Sequence, residues 1–185
     1  FPQLSRAWSE KNIEKFRRFY ANSLKVTFIL CIPVIITSIV FSKTIIATIL
    51  ERGAFDQNDT IEVSYLLTLL MGSYLFLCLN TIPGKIFYIT GITGLGFFNA
   101  ILEVVIYIGL CLWLPQLFSY YGIAYAQIIS VACSALFASI LLQLKFKILN
   151  VQSLPLDFLK IVLCGILSYG LMNTYSLWFK QSFLT

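Results

Sequence analysis

Histidine is absent from this chain, and charge is scarce: Asp, Glu, Lys and Arg make up 11% of its 185 residues. A soluble domain carries about 25% charged residues, so too few are present to clothe a water-exposed globule. The lack of histidine removes the commonest general base and a principal zinc and haem ligand. The five cysteines, Cys31, Cys78, Cys111, Cys133 and Cys164, fall one to each apolar block and never as a Cys-x-x-Cys pair. The usual thiolate metal spacings are therefore missing, and these residues read as small buried hydrophobes. There is no Gly-x-Ser-x-Gly and no phosphate-binding loop. Gly91-Ile92-Thr93-Gly94-Leu95-Gly96 stands between two apolar runs rather than between a strand and a helix, and reads as a tight turn. Neither catalysis nor a cofactor is expected.

What is abundant is hydrocarbon. Hydrophobic residues are 59% of the chain and mean hydropathy is +0.87. The apolar residues gather in runs near the ~20 residues that cross a hydrocarbon core of ~30 Å. Five spans are expected, over 24–41, 60–82, 96–114, 121–144 and 157–179. The second continues as helix towards Tyr88. A shorter run, Thr44 to Leu50, cannot cross and reads as interfacial helix. The runs lack the alternation of a barrel wall, so the fold class is all-α: a polytopic transmembrane helix bundle with one short interfacial helix. Residues 1–23 form an amphipathic, basic segment leading in, and 180–185 a tail. The chain does not open on Met and its first residues read like the middle of something, so it is expected to be a piece of a longer protein.

The net charge of +5 does not point to nucleic acid. Arg6, Lys11, Lys15, Arg17 and Arg18 precede the first span, where cations meet lipid headgroups and set topology. With the N-terminal end in the cytoplasm, the inner side holds these five with Lys25, Lys85, Lys145, Lys147 and Lys160, which is 10 of the 13 basic residues. Lys43, Arg52 and Lys180 stay outside, beside Glu51, Asp56, Asp59 and Glu62. Membrane lipids are thus the expected surroundings. Asn12 is placed to cap the helix that enters the first span, and Glu14 suits its positive first turn.

Polar groups inside the spans carry the functional signal, because hydrocarbon offers them no partner. Glu103 lies about a third of the way into the third span, with Asn99 at i−4 and Tyr107 at i+4 on one helical face. Two readings compete. One is a network of interhelical hydrogen bonds with Glu103 paired or protonated; the other is a site for protons, ions or polar substrate. Weaker polar stripes occur in other spans: Ser73, Tyr74, Asn80 and Thr81; Gln127, Ser130 and Ser134; Ser168, Tyr169, Asn173 and Thr174. Small hydroxyl residues are also ordinary helix–helix glue. Together the stripes suggest a bundle with a partly polar interior. Pro33 and Pro83 are placed to bend their helices.

The order of motifs adds a resemblance. Phe1-Pro2-Gln3-Leu4-Ser5-Arg6-Ala7 is followed by Phe16-Arg17-Arg18, a span with Pro33, then Leu50-Glu51-Arg52-Gly53-Ala54-Phe55 with Asp59-Thr60 beyond. This resembles the second half of the MurJ/MviN lipid II flippases of the MOP superfamily of polysaccharide, lipid-oligosaccharide and drug exporters. Ile86-Phe87-Tyr88 sits at that family's aromatic helix end, and Tyr121-Gly122-Ile123-Ala124-Tyr125-Ala126 resembles a Gly-Ala-rich helix start. Thr90-Gly91-Ile92-Thr93-Gly94 replaces the polar turn usual after the tyrosine, so lipid II and other undecaprenyl-linked glycans both stay open. The resemblance implies two rocking lobes around a central cavity, a lipid-linked saccharide as substrate, and an N-terminal lobe of the same protein as partner. Arg52, Gly53 and Phe55 match its Arg-Gly-Ala-Phe motif at the outer rim, where a structural loop and headgroup contact are both open. A bacterial cytoplasmic membrane is the implied location. A non-transporting membrane scaffold and a multidrug exporter of the same superfamily are the alternatives.

Overall fold

The computed structural model describes residues 2–146 and residue 170. The expected fifth span and the tail lie outside the described residues, except for Gly170, which is helical. Within residues 2–146 six helices follow in order: α1 (Pro2–Ser9), α2 (Ile13–Val40), α3 (Ser42–Leu50), α4 (Gln57–Ile89), α5 (Thr93–Phe118) and α6 (Tyr121–Phe146). No strand occurs among the described residues. Among the described residues four helices, α2, α4, α5 and α6, are long and apolar enough to cross a membrane. The chain is a polytopic all-α bundle, with α3 as the short helix between the first two spans.

Local chemistry sets the helix starts. The Asn12 side chain accepts from the Lys15 backbone N–H at 3.0 Å, which satisfies one of the orphan donors at the head of α2. Asp56 opens α4 with a capping box: its carboxylate accepts from the N–H groups of Asn58 and Asp59, while Asp59 accepts from the Asp56 N–H. Gly53 (φ +64°) and Gly91 (φ +74°) occupy the left-handed backbone region, which costs little without a Cβ.

The prolines lie inside helices. Pro33 is within α2, Pro83 within α4 and Pro115 within α5. Pro115 reads as a turn signal in the sequence, yet α5 runs through it to Phe118. Proline removes one ladder bond and crowds the carbonyl four residues back, a perturbation that falls near this helix's end. The glycine-rich stretch is likewise mostly helix: the turn is confined to Thr90–Ile92, and Gly94 and Gly96 already belong to α5.

Packing concentrates in two places. At the N-terminal corner, α1 buries Leu4 and Ala7 in a cluster with Phe16, Tyr20, Leu24 and Phe28 of α2, Ile82, Ile86 and Phe87 of α4, and Ala138 and Leu142 of α6. Trp8 closes it, its ring 5.5 Å from Phe16 and 5.4 Å from Phe146. Along α6 the buried face is mostly small, with Gly122, Ala124, Ala126, Ser130, Ser134, Ala135 and Ala138 beside the larger Val131 and Leu142. Small residues let backbones approach closely where hydrocarbon supplies no drive to associate. The tightest approach is at Gly122, where a Cβ would lie 2.5 Å from the Leu114 carbonyl carbon and the Pro115 nitrogen.

Candidate functional site

Helix α5 turns almost its whole apolar surface outward, and only Asn99 and Leu114 on it are buried. Its polar stripe therefore faces protein. Asn99 donates from Nδ2 to Ser134 Oγ on α6 at 3.0 Å and to Asn80 Oδ1 on α4 at 3.3 Å. Asn80 in turn donates from Nδ2 to Glu103 Oε2 at 3.0 Å and to Ser134 Oγ at 2.7 Å. Three spans thus meet in one network of two amides, a hydroxyl and a carboxylate. Ser134 is fully buried and Asn99 is 6% exposed, while Asn80 and Glu103 are half-buried.

Two features give the network chemical character. The Glu103 carboxylate receives a single amide donor in it, which leaves further lone pairs open to a proton or cation. Asn99 Oδ1 is buried with no hydrogen-bond partner among the described residues. A buried amide oxygen gains about 1–3 kcal/mol from a hydrogen-bond donor, which a side chain, a water or a bound ligand can supply. No group of three or more His, Cys, Asp or Glu with metal-binding proximity occurs among the described residues.

The structure joins some of the sequence candidates and separates others. Asn99 and Glu103 share the network. Tyr107, one turn further on, pairs with Cys111 of its own helix instead. Ser130 donates back to the Gln127 carbonyl at 3.1 Å, so its hydroxyl is used within α6, and Gln127 is half-buried outside the network. Asn80 and Ser134, which join the helices, stood in the sequence as members of weak stripes. Their signal was an amide and a hydroxyl within long apolar runs.

The rim motif lies elsewhere. Arg52 is exposed and its carbonyl accepts from the Phe55 N–H at 3.3 Å. With Gly53 in the left-handed conformation, Arg52, Gly53 and Phe55 make the turn from α3 to α4. Glu51 accepts from the Thr60 hydroxyl at 3.2 Å, tying that turn to the head of α4.

An aromatic cluster that the sequence reading did not single out sits where α4 begins and α5 ends. The Tyr120 hydroxyl donates to Glu62 Oε2 at 2.7 Å and lies 3.1 Å from the Tyr121 hydroxyl. Tyr65 packs edge-on against Tyr121 at 5.3 Å and hydrogen-bonds Tyr125. The hydrogen bonds to Tyr121 and then to Glu62 hold the Tyr120 phenol above its ordinary range. Its signal was Tyr120-Tyr121 beside the acidic head of the second span; belt tyrosines are common at membrane interfaces, which hid a specific pairing.

Apolar spans thus surround a buried polar network. No curated protein matches the chain. The family model described as lipid II flippase MurJ matches residues 1–185, the whole of it. With the full length matched and four membrane-length helices in place, the chain belongs to the MurJ family of lipid II flippases.

Proposed function

We propose that this chain is part of a flippase that moves an undecaprenyl-diphosphate-linked saccharide, lipid II or a close relative, across the bacterial cytoplasmic membrane by alternating access. The observation that carries this reading is the buried Asn80–Asn99–Glu103–Ser134 network joining α4, α5 and α6 in a chain matched throughout by the flippase family. A carrier needs helices that hold together in two arrangements. Amides and hydroxyls that exchange partners provide that at small cost, whereas interdigitated hydrocarbon does not.

Glu103 is the element that senses the driving force in this proposal. An ionisable side chain within a membrane span is costly to place and characteristically marks an ion, proton or substrate path. The occupancy of Glu103 changes what Asn80 donates to, and Asn80 also holds Ser134. The orphan Asn99 oxygen is the acceptor used in the alternative arrangement. Asn99, Glu103 and the nearby faces bearing Tyr107, Gln127 and Ser130 belong to the moving wall of the cavity. Arg52, Gly53 and Phe55 shape its outer rim.

The excess of basic residues at the N-terminal end supports a cytoplasmic location for that end. The wall is completed by an N-terminal lobe of the same protein, and membrane lipids surround the rest.

The test is flipping of fluorescent undecaprenyl-diphosphate saccharides by the full-length parent in liposomes, compared with Glu103→Gln across pH and under an imposed ion gradient. We expect the parent to flip and the variant to lose most of its activity together with its pH or ion dependence. Parental flipping with an unchanged variant would remove Glu103 from the mechanism. A folded parent that does not flip would overturn the transport reading.

A further inference from the structure

Away from the polar network, two thiols meet across the α2–α4 interface. Cys31 Sγ and Cys78 Sγ are 3.1 Å apart, with Cys78 buried and Cys31 half-buried. The surrounding positions are hydrocarbon: Phe28, Ile32, Leu75, Leu79 and Ile82 all belong to the apolar cluster or pack on it. Cys111 and Cys133, on α5 and α6, form no disulfide with any described residue. We propose that Cys31 and Cys78 are a disulfide-forming pair that bonds α2 to α4 inside the bilayer.

The geometry requires little movement. A disulfide places its sulfurs at about 2.05 Å, so the two Sγ atoms close by roughly 1 Å in total, within the reach of small χ1 rotations. Both helices already share one packed core, so no helix has to shift. Hydrocarbon keeps charged, water-borne reagents from the pair, which selects a lipid-soluble two-electron oxidant such as a fully substituted quinone. Two S–H bonds break and one S–S bond forms. Two electrons and two protons pass to the oxidant, which leaves as the quinol. The bond closes a long loop containing α3 and most of α4, so it restricts the unfolded chain and staples α2 to α4.

The proposal does not depend on the flippase reading, and its test does not measure transport. The full-length parent in liposomes is treated with molecular iodine, a lipid-soluble two-electron oxidant reduced to iodide. Remaining thiols are then blocked with a membrane-permeable maleimide, and the peptides are analysed by mass spectrometry. We expect a Cys31–Cys78 linked peptide two hydrogens lighter than its parts, lost on phosphine reduction and absent from Cys31→Ser and from Cys78→Ser. The bridged protein should also unfold at a higher temperature than the reduced one. Maleimide on both cysteines after iodine, or linkage of Cys78 to a different cysteine, would overturn the assignment. A linkage that forms only after thermal unfolding would do the same.

Discussion

Around Phe16 the helices meet through rings and aliphatic side chains, while between Asn80 and Ser134 they meet through amides, a hydroxyl and a carboxylate. The N-terminal corner includes α1, a helix of 8 residues too short to cross a membrane. A segment that borders water gains from burying Leu4, Ala7 and Trp8, because the hydrophobic effect operates there. Within the bilayer it does not, since lipid tails are as apolar as leucine, and helices associate through close packing and hydrogen bonds. The corner thus packs as an anchor, and the polar seam is the adjustable joint of the proposed cycle. Helix α5 illustrates the second case: it is fixed by Asn99, Leu114 and the backbone approach at Gly122.

Substitutions can break this contrast or sharpen it. The largest effect is expected in the corner, where Phe16 is 2% exposed. Phe16→Ala should cost about 3–5 kcal/mol, read as a lower unfolding midpoint of the full-length protein in detergent. A loss below about 1 kcal/mol would mean the corner is not an anchor. Next comes Gly122→Ala, whose Cβ meets the Leu114 and Pro115 backbone. Overpacking of that kind costs about 1–3 kcal/mol, and a distance probe between α5 and α6 should report that they separate. An unchanged distance and midpoint would show that the hairpin absorbs a methyl group freely.

Ser134→Ala tests the seam itself. Hydrogen bonds between membrane helices average about 0.6 kcal/mol and reach about 1.7, so the loss of stability should be modest. Flipping by the full-length protein should nonetheless fall well beyond what the folded fraction explains. Flipping that tracks the folded fraction would reduce the seam to structural glue. Asn12→Ala removes the cap of α2 and should cost about 1 kcal/mol, measurable as fraying of its first turn by hydrogen exchange.

The smallest effect belongs to the tyrosine rim. Because the Tyr120 phenol is raised by Tyr121 and Glu62, its protonated form is the one that the fold favours. The contribution is therefore fully present below the ordinary tyrosine range and is lost as pH rises through the raised value. Stability near neutrality should be flat with respect to this group, and Tyr120→Phe should abolish an alkaline step in the unfolding midpoint. A step that persists in the variant would assign it to another phenol.

Much of this was legible in the sequence, for physical reasons that stop at definite points. Uninterrupted apolar runs have few alternatives to a membrane helix, so α2, α4, α5 and α6 could be read directly, as could the short apolar helix before Glu51. Asn99 and Glu103 could be placed on one face because i and i+4 always share one. The partner of each polar group could not. Ser130 and Ser134 lie on the same stripe, yet one bonds back to the Gln127 carbonyl and the other accepts two amides from neighbouring helices. A hydroxyl in a helix has both options, and only the position of α4 and α5 selects between them. Pro115 misleads for a similar reason. Its local preference is to end a helix, but α5 continues for one more turn before the chain reverses.

Composition and periodicity by themselves determined that this chain is a set of membrane helices, where most of them begin, and that a carboxylate is carried into hydrocarbon. These follow from the solvation of single segments, which each segment settles alone. Tertiary structure decided that α1 folds against the bundle, that Asn80 and Ser134 rather than Tyr107 and Gln127 complete the Glu103 network, and that Cys31 meets Cys78. Those outcomes depend on how helices far apart in sequence are rotated and set against one another, and a side chain cannot encode the position of a neighbour it meets only after packing.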